Sequence, residues 1–136
     1  MTSRLNPYIG FADKARQAME FYRDVFGGEL ALNTYGEAGA GAPGDENKIM
    51  HAMLETPAGF ALMASDAPAG MPHSEGSSMS ISLSGDDADD LRGYWEKLSS
   101  GGTVTMPLEK QMWGDEFGMC TDQFGVAWMV NISQPS

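Results

Sequence analysis

Asp13-Lys14-Ala15-Arg16-Gln17-Ala18-Met19-Glu20-Phe21-Tyr22-Arg23-Asp24-Val25-Phe26-Gly27-Gly28 reads as one helix with both ends marked. Asp13 is the expected N-cap, its carboxylate able to accept from backbone N–H groups that lack a helical partner. Ala15, Ala18, Met19, Tyr22, Val25 and Phe26 recur at spacings of three and four, the apolar stripe of an amphipathic helix. Gly27-Gly28 stops it. Before the helix, Asn6 to Phe11 alternates like a strand, with Pro7, Ile9 and Phe11 on one face and Asn6, Tyr8 and Gly10 on the other. After it, Glu29 to Tyr35 reads as a strand, and Gly36 to Gly44 as a Gly/Ala/Pro-rich loop. Ile49 to Glu55 and Phe60 to Ser65 read as strands joined by the turn Thr56-Pro57-Ala58-Gly59. The order is strand, helix, three strands.

Beyond a Pro/Gly/Ser-rich linker at about 67–77, the same order returns. Ser78 to Ser84 alternates serine with Met79, Ile81 and Leu83. Asp86 or Asp87 caps a helix with the stripe Ala88, Leu91, Trp95 and Leu98, stopped by Gly101-Gly102. Thr103 to Leu108 is a strand, and Phe117 to Thr121 and Val126 to Ile132 form a hairpin around Asp122-Gln123-Phe124-Gly125. The expectation is an α+β fold in a single domain spanning 1–136, with βαβββ modules at about 5–66 and 78–133.

A chain of 136 residues buries enough surface to fold without a disulfide or a metal. Its one cysteine, Cys120, has no intrachain partner, which suits a reducing cytoplasm. No apolar run is long enough for a membrane span, and residues 1–7 lack the pattern of a signal peptide. A net charge of −11 disfavours nucleic acid and anionic membranes as partners, because both are bound chiefly through Lys and Arg.

Three stretches together resemble one family across nearly the whole chain. They are Asn6-Pro7-Tyr8-Ile9-Gly10-Phe11 with Ala18 to Gly28; His51-Ala52-Met53-Leu54 with Gly59 and Leu62-Met63-Ala64-Ser65-Asp66; and Trp113-Gly114-Asp115, Phe117-Gly118, Asp122-Gln123-Phe124-Gly125 and Trp128. They resemble the PhnB-like branch of the glyoxalase/bleomycin-resistance/dioxygenase (vicinal oxygen chelate) superfamily. The resemblance implies paired βαβββ modules forming a curved, mostly antiparallel sheet around a small-molecule cavity. Where many relatives carry Arg after Trp-Gly-Asp, this chain has Glu116.

The resemblance also implies four cavity-facing positions that hold a divalent ion through His or Glu in the superfamily's enzymes. Transferred by motif, they are Asn6, Met63, Ser80 and Met129, and none suits zinc, iron or nickel. Neither neighbour of any of the four is His, Asp, Glu or Cys. We therefore expect no metal at that site and no cofactor.

Other chemistry rests on few groups. His51, on a face expected to carry Ile49 and Met53, reads either as a hydrogen-bonded structural residue or as a polar anchor or acid/base. Asp115 and Glu116 are solvated loop acids or a general-base pair. Ser80, Ser82 and Ser84 share a strand face without a nucleophile elbow, and Cys120 has no activating cation beside it. Met63 and Met129 are expected to line the pocket with Asn6, Tyr8, His51, Ser80, Ser82, Trp113 and Phe117. Three functions follow: a metal-independent binder of a small, partly apolar or cationic molecule; an enzyme acting on a small metabolite through His51, Asp115 or Glu116; or an interaction protein with a vestigial cavity. A homodimer is expected, since a half-barrel's apolar rim is covered well by its own copy.

Overall fold

The computed structural model describes residues 5–39, 43–67 and 79–134. Most of the linker, His73, Ser78 and part of the Gly36–Gly44 loop lie outside them. The chain divides into two compact units, Met1–Ser74 and Glu75–Ser136.

The first unit runs β1 (Tyr8–Phe11), α1 (Ala15–Phe26), β2 (Glu29–Thr34), β3 (Ile49–Glu55) and β4 (Ala61–Asp66). Its mixed sheet has the order β1-β4-β3-β2, with β1 parallel to β4 and the other pairs antiparallel. The six residues of the α1 stripe are its six buried residues. They pack with Ala52, Leu54, Leu62 and Ala64 of the sheet, all buried. Burying a side chain such as Met19 or Tyr22 completely contributes roughly 1.5–3 kcal/mol.

The start of α1 differs from the expectation. Asp13 is exposed, and the residue at the N-cap position, Lys14, makes no side-chain capping bond. Asp66, at the far end of β4, does the capping. Its Oδ1 accepts from the Ala15 N–H at 2.9 Å and its Oδ2 from the Ile49 N–H at 2.9 Å. A buried carboxylate satisfying two orphan backbone donors is worth more here than a solvated cap at Asp13. The Tyr35 hydroxyl donates to the Asp66 carbonyl at 2.9 Å, tying the loop after β2 to the same point.

A second difference is local to β3. Asn33 pairs with His51 but Thr34 pairs with Ile49, so Met50 is an extra residue in the ladder. Such a bulge turns the chain over by one residue. Ile49 therefore points to the buried side, fully inaccessible, and does not share a face with His51.

The second unit repeats the order: β5 (Ile81–Gly85), α2 (Ala88–Ser99), β6 (Thr103–Lys110), β7 (Glu116–Thr121) and β8 (Ala127–Ile132). Its sheet is β5-β8-β7-β6, again with one parallel pair, β5 with β8. Leu91 and Leu98 of α2 are buried, whereas Ala88 and Trp95 are only partly so. A Cβ on Gly118 would come within 2.9 Å of the Trp95 ring, so the glycine in β7 makes room for the indole above it. Met79, expected to alternate into the sheet, is 84% exposed and precedes β5.

Asp122 organises the last hairpin. Its Oδ1 accepts from Phe124 and Val126 N–H at 2.8 and 3.1 Å, and its Oδ2 accepts from Trp128 Nε1 at 2.8 Å. The Asp-Gln-Phe-Gly turn and the buried Trp128 are thus one hydrogen-bonded device.

Candidate functional site

Because α1 covers one face of the first sheet, the residues that alternate away from it form an open face. Register fixes its rows. Tyr8 pairs with Met63, Met63 with Met53, and Met53 with Ala31. In the next row Gly10 pairs with Ser65 and Asn33 with His51. Continuing the β3–β4 ladder one step past Ala52–Ala64 sets Ser65 opposite His51. An apolar row with a tyrosine at its end therefore lies beside a polar row with a histidine inside it. Met53, Met63, His51 and Ser65 are each partly exposed, and Tyr8 is 54% exposed.

Tyr8 and His51 meet across the two rows, with ring centroids 5.9 Å apart and planes tilted by 38°. Toward the other end of β2 and β3, a hollow of about 450 Å³ is lined by Gly28, Glu29, Leu30, Ala31, Met53, Glu55, Thr56 and Pro57. Met53 and Ala31 belong to both the apolar row and the hollow.

The second sheet has an open face of the same plan. One row is Ser82–Met129–Met119–Met106; the next is Ser84–Asn131–Phe117–Glu109. Ser80 lies exposed just before β5. Trp113, 58% exposed, packs edge-on against Phe117 with centroids 6.1 Å apart. Its loop closes through Gln111 N–H to the Asp115 carbonyl at 2.8 Å.

Asp115, in the loop, and Glu116, which is the first residue of β7 and not a loop residue as expected, are both engaged. The Asp115 carboxylate accepts from Asn131 Nδ2 at 3.1 Å and from the Gln134 N–H at 3.3 Å. Glu116 forms an ion pair with Arg92 of α2. Glu116 is registered on buried Ile132, which puts it on the helix side of its sheet. Cys120 also faces that side, buried, and desolvation aided by the Asp122 charge pushes its thiol up to about 11.

Within the first unit the structure brings Tyr8, His51 and Met63 together. Within the second it brings together Ser82 and Met129, and separately Trp113 and Phe117. Asn33 and Ser65, the polar neighbours of His51, are not marked by composition or motif. Their place depends on strand register, of which the alternation of each strand is only a partial signal.

The donor set at the four transferred positions does not fit a hard or borderline divalent ion. Asn6, Met63, Ser80 and Met129 offer an amide, a hydroxyl and two thioethers, without imidazole or carboxylate. Among the described residues, no three His, Cys, Asp or Glu side chains stand close enough to hold a metal. Also among those residues, no helix is long and apolar enough to cross a membrane.

Comparison with known proteins agrees with this architecture. The family model of the Glyoxalase/Bleomycin resistance protein/Dioxygenase superfamily matches residues 4–130. The chain is 28% identical over 141 residues to Protein YjdN of Escherichia coli, covering 94% of each. A crystal structure of protein PA1353 from Pseudomonas aeruginosa is 39% identical with a TM-score of 0.89, over 98% of this chain and 100% of that one. The PhnB protein of Bacillus cereus shares the fold, at 24% identity and a TM-score of 0.78, over 96% of this chain and 100% of that one. The chain belongs to the glyoxalase/bleomycin resistance protein/dioxygenase superfamily.

Proposed function

We propose that this chain is a PhnB-like small-molecule-binding protein that works without the superfamily's usual metal site. Its ligand is a small, partly apolar or cationic molecule. The observation that carries this reading is the open face of the first sheet, where the Met63–Met53 row adjoins Tyr8 and His51. Thioethers are polarizable and adapt to irregular apolar shapes. An aromatic ring beside them attracts cations, and the −11 charge of the chain favours them at long range. Ser65 and Asn33 beside His51 offer hydrogen bonds that fix a polar end of the ligand. Asn6 is a further contact we assign to ligand binding on this sheet, and Ser80, Ser82, Trp113, Phe117 and Met129 are those we assign on the open face of the second sheet.

An enzymatic reading rests on His51 alone among the three acid/base candidates, since Asp115 and Glu116 are held by Asn131 and Arg92. A ligand-shift screen on metal-stripped protein separates the readings. Tight binding without turnover supports the proposal. Turnover of a bound compound replaces it with the enzyme, and no response to any class of compound overturns both.

The same reading includes a homodimer. β6 is an edge strand with Val104 exposed, and such an edge is commonly covered by a second copy. A monomer mass by sedimentation equilibrium at high micromolar concentration and physiological salt contradicts it.

A further inference from the structure

The methionines of the second unit are arranged in a way that pocket lining does not require. Met106 of β6 is registered on Met119 of β7, and Met119 on Met129 of β8. The three methionines are therefore register partners across three adjacent strands, with irregular pairing of β6 on either side of Met106. They are not core filler, because the packed side of this sheet is the other one. There Leu83, Cys120, Trp128 and Val130 are buried with Leu91 and Leu98 of α2. Met119 and Met129 are partly exposed and Met106 is 40% exposed.

We propose that Met106, Met119 and Met129 form a binding site for a soft monovalent cation, of the copper(I) and silver(I) class. Neighbouring strands are about 4.8 Å apart, so an ion above Met119 is within side-chain reach of both flanking methionines. Methionine has three rotatable bonds beyond Cα, which lets the outer two lean inward at little cost. Neutral thioether donors select soft ions, whereas zinc, magnesium and manganese require nitrogen or oxygen ligands. The row contains no carboxylate or imidazole, and Ser82 is its fourth member on β5. A single positive charge on three neutral donors leaves a cationic complex, which the −11 charge of the chain stabilises at long range. Cys120 turns to the opposite face and takes no part. Ser82 and Met129 are shared with the organic-ligand contacts assigned above, whereas Tyr8, Met63 and His51 take no part in the cation site.

The test uses the intact, metal-stripped chain labelled at the methionine methyl carbons. Silver nitrate, a redox-inert probe, is titrated in chloride-free buffer. The ε-methyl signals of Met106, Met119 and Met129 are expected to move together and saturate at one equivalent. Met106→Leu with Met119→Leu removes two of three donors and is expected to weaken binding about 100-fold or more. Leucine conserves volume, so the thermal midpoint should change little. Should the double variant fold poorly, Met106→Leu alone, at an exposed position, is expected to weaken binding about tenfold. Unsaturable shifts spread equally over exposed Met79 and Met112 overturn the proposal. So does a saturating response centred on Met53 and Met63, or a folded double variant that keeps its affinity within about threefold.

Discussion

The ring of Tyr8 lies 5.9 Å from the imidazole of His51, joining the apolar and polar rows of one open sheet face. This contact is between two partly solvated groups, which places its value in recognition more than in stability. Replacing His51 with Ala should cost under about 1 kcal/mol in urea unfolding, as for surface positions generally. Ligand affinity should fall clearly in the same variant. A stability loss of several kcal/mol with the ligand response intact would instead mark His51 as structural, with a buried partner left unsatisfied.

Asp66 carries the opposite expectation. It is buried, and its two oxygens serve Ala15 and Ile49 N–H groups 51 and 17 residues away. Asp66→Ala removes a helix cap worth about 1 kcal/mol and strands a second buried donor at about 1–3 kcal/mol. Denaturant unfolding should show a loss of about 3 kcal/mol, and a loss below about 0.5 kcal/mol would refute the assignment.

These two residues show what the sequence does and does not reveal. The α1 stripe was readable because six apolar residues recur at helical spacing, and every one is buried. Asp66 as the cap was not readable, because the capping carboxylate comes from a strand that long-range folding delivers. Asp13, adjacent in sequence, is the choice local chemistry favours. Ile49 leaves the face that alternation gives it for a similar reason: one bulge residue, Met50, flips the face of everything before it, and periodicity carries no signal for it. The open-face residues follow the same divide. Met63 and Tyr8 come from family resemblance and alternation, whereas Asn33 and Ser65 depend on register between strands.

The double glycines make a matched pair of predictions. A Cβ on Gly28 would sit 2.1 Å from the Glu55 carbonyl oxygen, and one on Gly102 2.2 Å from that of Thr121. Both contacts are with backbone that a rotamer change does not relieve. Gly28→Ala and Gly102→Ala should each lose about 2 kcal/mol or more by thermal unfolding. Gly59→Ala, with open space but a φ of +90°, should lose about 1–2 kcal/mol. Equal, small losses at all three would contradict the close approach.

Cys120 predicts a pH dependence of known sign. Burial raises its thiol from the ordinary 9.0 to about 11, so the folded chain holds that proton where the unfolded chain has released it. Its contribution to stability is complete below pH 9 and lost as pH rises toward 11. Native protein at pH 8 should react with iodoacetamide far more slowly than unfolded protein. Equal rates would show that the thiol is accessible. In a Cys120→Ala variant the fall in stability above pH 9 should be smaller.

A small molecule is expected to bind on the first sheet's open face without a divalent metal. This is tested most directly by NMR of metal-stripped protein carrying labelled methionine methyls and histidine rings, titrated with the strongest compound from the ligand screen. The Met63, Met53 and His51 signals are expected to shift together, saturate, and return the same affinity with chelator present. Shifts confined to other residues, or binding that appears only after zinc, nickel or manganese is restored, would contradict it.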